Sequence, residues 1–88
     1  MLCMHNIMGQ LYSQSEKVAN DICVRLGRRL NKLRTQRGWT QAYLAEISGL
    51  GRSHISELEN GRREAGLRAL EMLATSFDLT VAELLKDV

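Results

Sequence analysis

The chain has 88 residues, which allows one small domain, and 44% of them are hydrophobic although only one Phe, one Trp and two Tyr are present. It contains no Pro and no strand-length alternation of β-branched residues, so we predict an all-α fold with an aliphatic core. The net charge of +2 does not by itself indicate a nucleic-acid partner, and two Cys are too few for a disulfide framework. The N-terminus has no long apolar run, and no apolar stretch of about 20 residues occurs, which argues against a signal peptide and a membrane span. A cytoplasmic location is therefore expected.

The N-terminal residues 1–20 are interpreted as an arm or tail, and residues 21–88 as the folded domain. Four apolar residues of the arm fall at helical spacing: Ile7, Met8, Leu11 and Tyr12. That spacing fits a short amphipathic helix or a docking arm, and a frayed tail is the alternative.

The first long helix is predicted to begin between Glu16 and Asp21 and to run to Arg37, where Gly38 ends it. Its apolar stripe repeats at helical spacing: Ile22, Leu26, Leu30 and Leu33. Trp39 follows the helix and is expected to pack over the bundle as a hydrophobic lid.

Two short helices follow, joined by a tight turn. Thr40 is predicted to cap the first of them, without a capping box because Tyr43 stands where Glu or Gln would complete one. Leu44 and Ile47 are expected to face the core, and Gly49 suits the left-handed conformation of the turn.

The second short helix is predicted over residues 52–59, with Gly51 at its N-cap and residues 60–61 at its end. Ile55 and Leu58 provide its apolar side. The remaining positions are polar, and they include the exposed N-terminal end of the helix.

A basic loop at residues 62–66 leads to a fourth helix over residues 67–77, and a fifth helix begins after Thr80. The fourth helix is expected to bury Leu67, Leu70, Leu73, Ala74 and Phe77. The fifth opens with a capping box of Thr80 and Glu83, and its apolar residues are Val81, Leu84 and Leu85.

Positive charge surrounds the two short helices. Residues 25–68 carry ten Lys or Arg against four Glu, a net charge of +6, whereas residues 1–24 have −1 and residues 69–88 have −3. A short helix with an exposed polar end in a basic setting can lie in a DNA major groove and read base edges. The residues expected to read bases are Arg52, Ser53, His54, Ser56 and Glu57.

Arg52 lies in the first turn of its helix, where it can donate two hydrogen bonds to guanine O6 and N7, with a phosphate contact or plain solvation as the alternative. Glu57 either accepts a hydrogen bond from a cytosine amino group or orients Arg52 through an ion pair. No second ligand accompanies His54, so neither a metal site nor a cofactor is predicted.

Several short patterns occur together along residues 22–88: T-Q-x-x-L-A at 40–45, I-S-x-L-E at 55–59, N-G at 60–61, L-x-x-L-x-x-L-A at 67–74 and T-V-A-E-L-L at 80–85. Their joint spacing resembles the Cro/phage-repressor-type (XRE family) helix-turn-helix proteins. Within that family, R-S-H-I-S-x-L-E is similar to the recognition helix of small restriction–modification controller proteins. Two features depart from the family: Gly51 replaces the usual Ser, and residues 64–66 stand where Asn-Pro is common.

The resemblance implies a five-helix, lambda-repressor-like DNA-binding domain with its helix-turn-helix at the second and third helices. It also implies an ion pair between Arg34 and Glu59, and a homodimer formed through the fourth and fifth helices. Gln41 would hold the DNA backbone from a helix N-terminus, where free N–H groups attract phosphate. The full set of expected phosphate contacts is Gln41, Tyr43, Arg62 and Arg63, and plain solvation is the alternative for the arginines.

The predicted function is therefore a sequence-specific regulator that binds a palindromic double-stranded DNA operator as a homodimer, with half-sites about 34 Å apart. The alternative is an antitoxin-type module that binds a small protein partner through residues 1–20 and represses its own operon. An enzyme is not expected, because the sequence holds no nucleophile–base constellation and no phosphate-binding glycine loop.

Overall fold

Five helices form the part of the protein that the structure, a computed structural model, describes, namely residues 21–88. They are α1 (Ile22–Gln36), α2 (Gln41–Ser48), α3 (Arg52–Glu59), α4 (Leu67–Ser76) and α5 (Val81–Leu84). The predicted all-α class is confirmed, since no strand occurs among those residues. The arm at residues 1–20, to which partner binding was assigned, lies outside the described residues. Within residues 21–88, no helix is long and apolar enough to cross a membrane.

The helix ends follow the capping residues. The Asp21 side chain accepts a hydrogen bond from the Cys23 N–H, which places the start of α1 at the late end of the predicted range. Thr40 caps α2 by accepting from the Tyr43 N–H at 3.0 Å. Thr80 and Glu83 form the predicted capping box at α5. Local side-chain chemistry therefore decides where these helices begin.

The core lies between all five helices and is aliphatic apart from one ring. Its most deeply buried side chains are Phe77, Leu30, Leu44, Ile55, Leu58, Leu73 and Leu84. Trp39 packs over this core as expected, because its ring stacks on Phe77 with 5.3 Å between centroids. The Arg37 guanidinium lies over both rings and donates to the Phe77 carbonyl at 2.9 Å.

Three residues predicted to be buried are instead exposed: Ile22 at 59%, Ile47 at 40% and Leu67 at 83%. Ile22 and Leu67 are the first residues of α1 and α4, and at those ends the described residues leave the side chain uncovered. On α2, the buried residues are Leu44 and Ser48, and Ile47 lies outside that buried face. The apolar repeats predicted the helices correctly. Whether the residues at the ends of a repeat are buried depends on which neighbouring helix or loop packs against them. Phe77 is buried as expected but caps α4 rather than continuing it.

Two glycines allow α1 to approach the C-terminal end of α3. A Cβ on Gly27 would lie 2.5 Å from the Glu59 carbonyl oxygen. Gly61 has a φ of +70°, and a Cβ there would lie 2.9 Å from a methyl group of Val24. Real Cβ atoms do not tolerate such distances, so the crossing needs glycine at both positions.

We expect Gly27→Ala to lower the free energy of unfolding by about 1–3 kcal/mol, because the added Cβ overpacks the crossing. Helix propensity alone predicts the opposite sign, since Ala is favoured over Gly inside a helix by about 1 kcal/mol. Urea unfolding followed by circular dichroism measures the difference. Gly66→Ser is the control, because a Cβ on Gly66 meets no atom within 4 Å. A gain in stability for Gly27→Ala would contradict the close contact of α1 with α3.

Candidate nucleic-acid interface

The carboxylate of Glu59, the last residue of α3, is the meeting point of three helices. From α1, Arg34 Nε donates to its Oε2 at 2.6 Å and Nη2 donates to Oε1 at 2.9 Å. Oε1 also accepts from Asn31 of α1 and from Gln41 of α2, each at 3.1 Å. The exposed side-chain fractions are 12% for Arg34 and only 4% for Glu59. We call these four residues the Glu59 cluster.

Both members of the central ion pair are charged at neutral pH. Burial raises the pKa of the Glu59 carboxyl, but hydrogen bonds from Arg34, Asn31 and Gln41 outweigh burial, and the net pKa is lowered. The hydrogen bond to Glu59 raises the pKa of Arg34 despite its partial burial. Such a charge-assisted, bidentate pair is strong and directional, so it sets the orientation of α3 relative to α1.

The residues predicted to read bases all lie on α3. Arg52, Ser53 and Glu57 are exposed, whereas His54 and Ser56 are half-buried. Gly51 caps the helix without a side-chain hydrogen bond, so no side chain covers the first-turn N–H groups there. The N-terminal end of α3 is thus polar and accessible, while its C-terminal end is held by the Glu59 cluster.

Glu57 forms its ion pair with Arg63. The alternative drawn from the sequence, in which Glu57 pairs with Arg52, is therefore wrong. Arg63 Nη1 donates to Glu57 Oε1 at 2.9 Å. Residues five positions apart on a helix are separated by about 140° around its axis, so Arg52 and Glu57 do not form a side-chain row. The loop after α3 returns to Glu57 instead, since the Arg62 N–H donates to the Glu57 carbonyl at 2.9 Å.

The predicted phosphate contacts fall into two groups. Gln41, the first residue of α2, is half-buried and its amide is oriented by Glu59. Tyr43 is 45% exposed in the same turn, and its ring meets Trp39 edge-on at 5.2 Å. Arg62 and Arg63 are both exposed in the loop after α3, but Arg63 is occupied by Glu57.

Sequence reasoning missed Asn31, although a signal was present. Asn31 precedes Arg34 by three residues, which places the two side chains on one face of α1. Both donate to Glu59. An amide one turn before an arginine that is expected to bind a carboxylate is a natural second donor.

Several of the basic residues in the segment 25–68 make hydrogen bonds within the protein. Arg29 donates to the carbonyls of Glu83 and Leu84 at 2.9 and 3.0 Å, and Arg25 donates to the Val88 carbonyl at 3.3 Å. Positive groups near the end of a helix satisfy its free carbonyls and complement its dipole. The net charge of this segment therefore overstates the positive charge available to a nucleic acid.

The arrangement of α2 and α3 defines the class of this protein. Two eight-residue helices are joined by a turn in which Gly49 has a φ of +82°, and the second helix exposes a polar first turn. This arrangement is a helix-turn-helix, a motif in which the second helix generally enters the DNA major groove.

Comparison with known proteins agrees. The helix-turn-helix family model matches residues 30–84, and the chain belongs to this family, the XRE-type regulators that bind DNA. The control protein C.MunI of Mycoplasma sp is 36% identical over 70 residues, which cover 78% of this chain and 95% of that protein. The regulator AnsR of Bacillus subtilis is 42% identical over 57 residues, which cover 65% of this chain and 49% of that protein.

Two further matches extend the comparison. The competence pilus inhibition repressor of Acinetobacter baylyi is 41% identical over 59 residues, covering 67% of this chain. The chain spans 54% of that repressor, as it spans about half of AnsR. The crystal structure of the restriction–modification controller protein C.AhdI of Aeromonas hydrophila superposes with a TM-score of 0.68 at 42% identity, covering 70% of this chain and 94% of that one.

Glu59→Gln is expected to lower the free energy of unfolding at pH 7 by about 1.5–3 kcal/mol, because Arg34 would lose its counter-charge while largely buried. Chemical denaturation measures the loss. The matched control is Glu57→Gln, which removes a carboxylate from an exposed pair and should cost less than about 1 kcal/mol. Equal losses for the two variants would show that the Glu59 cluster stabilises the fold no more than an exposed ion pair does.

The contribution of Glu59 should also depend on pH. Its folded-state pKa is lowered, and the unfolded value is about 4.3. Its stabilisation is therefore fully present above that value and is lost as pH falls through the folded pKa. The stability difference between wild type and Glu59→Gln should stay constant from about pH 7 to about pH 5 and shrink below about pH 4. A difference that already shrinks between about pH 7 and pH 5 would be inconsistent with this sign.

Proposed function

We propose that this chain binds a palindromic duplex operator as a homodimer and regulates transcription as a controller or repressor. The observation that carries the proposal is the geometry of α3. Its C-terminal end is fixed by the Glu59 cluster, and its N-terminal end exposes hydrogen-bonding side chains. A helix held in this way can enter the major groove without first being ordered. The likeness to the controller protein C.AhdI supports the same role.

Base reading is assigned mainly to Arg52. Its exposure in the first turn of α3 supports a bidentate contact with guanine, which discriminates by about 1–3 kcal/mol. Ser53, His54, Ser56 and Glu57 complete the reading surface in this proposal. Of these, Ser53 and Glu57 are the exposed members, so they have the freest access to base edges.

Backbone contact is assigned to the N-terminus of α2. Gln41 is the first residue of that helix, where unpaired N–H groups and the helix dipole favour phosphate. Its amide Nε2 donates to Glu59, so a phosphate that contacts Gln41 is linked through the Glu59 cluster to α3. The further phosphate contacts are Tyr43 on α2 and Arg62 in the loop after α3, and both side chains are exposed.

Dimerisation is assigned to the α4–α5 side. A single eight-residue reading helix contacts few base pairs, and two copies on a palindrome double that number. Leu67 at the start of α4 is 83% exposed. An open apolar groove of about 320 Å³ is lined by Leu70, Leu85 and Val88, and on its other side by Ile22, Cys23 and Leu26 of α1. A second copy of the chain would cover this surface.

Arg52→Ala should relax the preference for guanine at one position of each half-site, because the bidentate contact is lost. Gln41→Ala should instead lower affinity for all sequences, because it removes a backbone contact. Lys32→Ala, on α1, is the control for loss of one exposed positive charge outside both the α3 surface and the α4–α5 side. Fluorescence anisotropy with a selected operator and its point variants, at one stated salt concentration, measures these effects. If Arg52→Ala and Gln41→Ala bind like wild type, the docking face is misassigned.

Leu67→Asp should shift the protein from dimer to monomer, because a charge would be buried in the proposed interface. The melting temperature of the monomer should change little, since the side chain is exposed within one chain. Sedimentation velocity measures the assembly state. Ala42→Asp, at an exposed residue of α2, is the control and should remain dimeric. A dimer that survives Leu67→Asp would place the interface elsewhere.

A further inference from the structure

The loop that follows α3 is folded back onto the reading helix. Gly61 has a φ of +70° and packs so closely on Val24 that a Cβ would lie 2.9 Å from it. The next N–H, that of Arg62, donates to the Glu57 carbonyl at 2.9 Å. These two backbone contacts fix the path of the loop and place Arg63 next to the Glu57 side chain. The ion pair is therefore supported by the backbone as well as by the two side chains.

The ion pair between Arg63 and Glu57 has a single hydrogen bond. Arg63 Nη1 donates to Glu57 Oε1 at 2.9 Å, which leaves Oε2 outside that hydrogen bond. The two side chains are 49% and 48% exposed, and exposed pairs of this kind contribute little to stability. The pair therefore invites an explanation other than holding the fold together.

A carboxylate on a DNA-reading helix meets an electrostatic problem. The phosphates of the duplex repel it, whereas a cytosine amino group in the major groove needs an acceptor of this type. A cation bound to one carboxylate oxygen reduces the repulsion and leaves the other oxygen to accept. Arg63 stands in that position relative to Glu57.

We propose that Arg63 is a positioning residue for sequence choice: it neutralises and orients Glu57, whose free oxygen accepts a hydrogen bond from a cytosine amino group. This inference rests on the proposed DNA-binding function and deepens it. Arg63 thus acts through Glu57, whereas its neighbour Arg62, which forms no side-chain pair with Glu57, contacts phosphate. The two adjacent arginines, equal in charge and both exposed, have different roles.

Selection of bound sequences from a random duplex pool at one salt concentration tests the inference, with wild type, Arg63→Ala, Arg63→Lys, Arg62→Ala, Glu57→Ala and the Glu57→Ala/Arg63→Ala double variant. Arg63→Ala and Glu57→Ala, which removes the acceptor, should lose the same cytosine preference, about tenfold, at the same position of the half-site. The double variant should lose no more than either single variant, because the two residues act as one unit. Arg62→Ala should keep every base preference and bind all sequences more weakly. Arg63→Lys should retain part of the preference, since its charge is preserved.

Two results would overturn the inference. In one, Arg63→Ala and Arg62→Ala keep all base preferences and lose affinity and salt dependence equally, which would make Arg63 a plain phosphate contact. In the other, Glu57→Ala keeps the cytosine preference, so Glu57 does not read that base. Failure of the proposed function would look different, because wild type itself would then select no sequence. Thermal melting of each variant separates a change in reading from a change in folding.

Discussion

A nearly buried carboxylate at the end of α3 receives hydrogen bonds from two other helices, and the position of α3 follows from that interaction. An eight-residue helix is marginally stable by itself, so its orientation must come from tertiary contacts. Glu59 also occupies the end of the helix where the dipole disfavours negative charge. Arg34 offsets that disadvantage with two hydrogen bonds, and Gln41 extends the same network to the start of α2. Gly27 lets the backbones approach closely enough for these contacts to form.

The two ends of α3 have opposite properties, and the division suits a reader of DNA. The C-terminal end is packed against α1, and the turn at Gly61 returns the chain to the helix. The N-terminal end has a glycine cap and exposed polar side chains. A ligand that binds the open end therefore meets groups whose backbone is already fixed, which lowers the ordering penalty of association. The basic residues are divided similarly, since Arg25 and Arg29 satisfy carbonyls near the end of the chain while Arg52 and Arg62 remain exposed.

The sequence predicted the elements well because the signals for them are local. Caps such as Thr40 act within one helical turn, and the apolar repeats follow the helical period. Burial was predicted less well at the ends of those repeats: Leu67 fits the pattern but lies where the described residues leave it uncovered. The role of Gly27 depends on how closely two distant segments cross, which no local pattern encodes. The pairing of Glu57 with Arg63 depends likewise on the path of a loop. Arg34 and Glu59 were anticipated only through resemblance to a family, since they are 25 residues apart.

The central claim is that α3 is oriented by the Glu59 cluster before DNA arrives and keeps that orientation when bound. A crystal structure of the protein with a duplex carrying its selected operator tests this most directly. The account predicts that α3 lies in the major groove with Arg52 at base edges, while Arg34 and Gln41 still donate to Glu59. A complex in which those hydrogen bonds are broken and α3 has rotated against α1, or in which another face contacts the duplex, would contradict it.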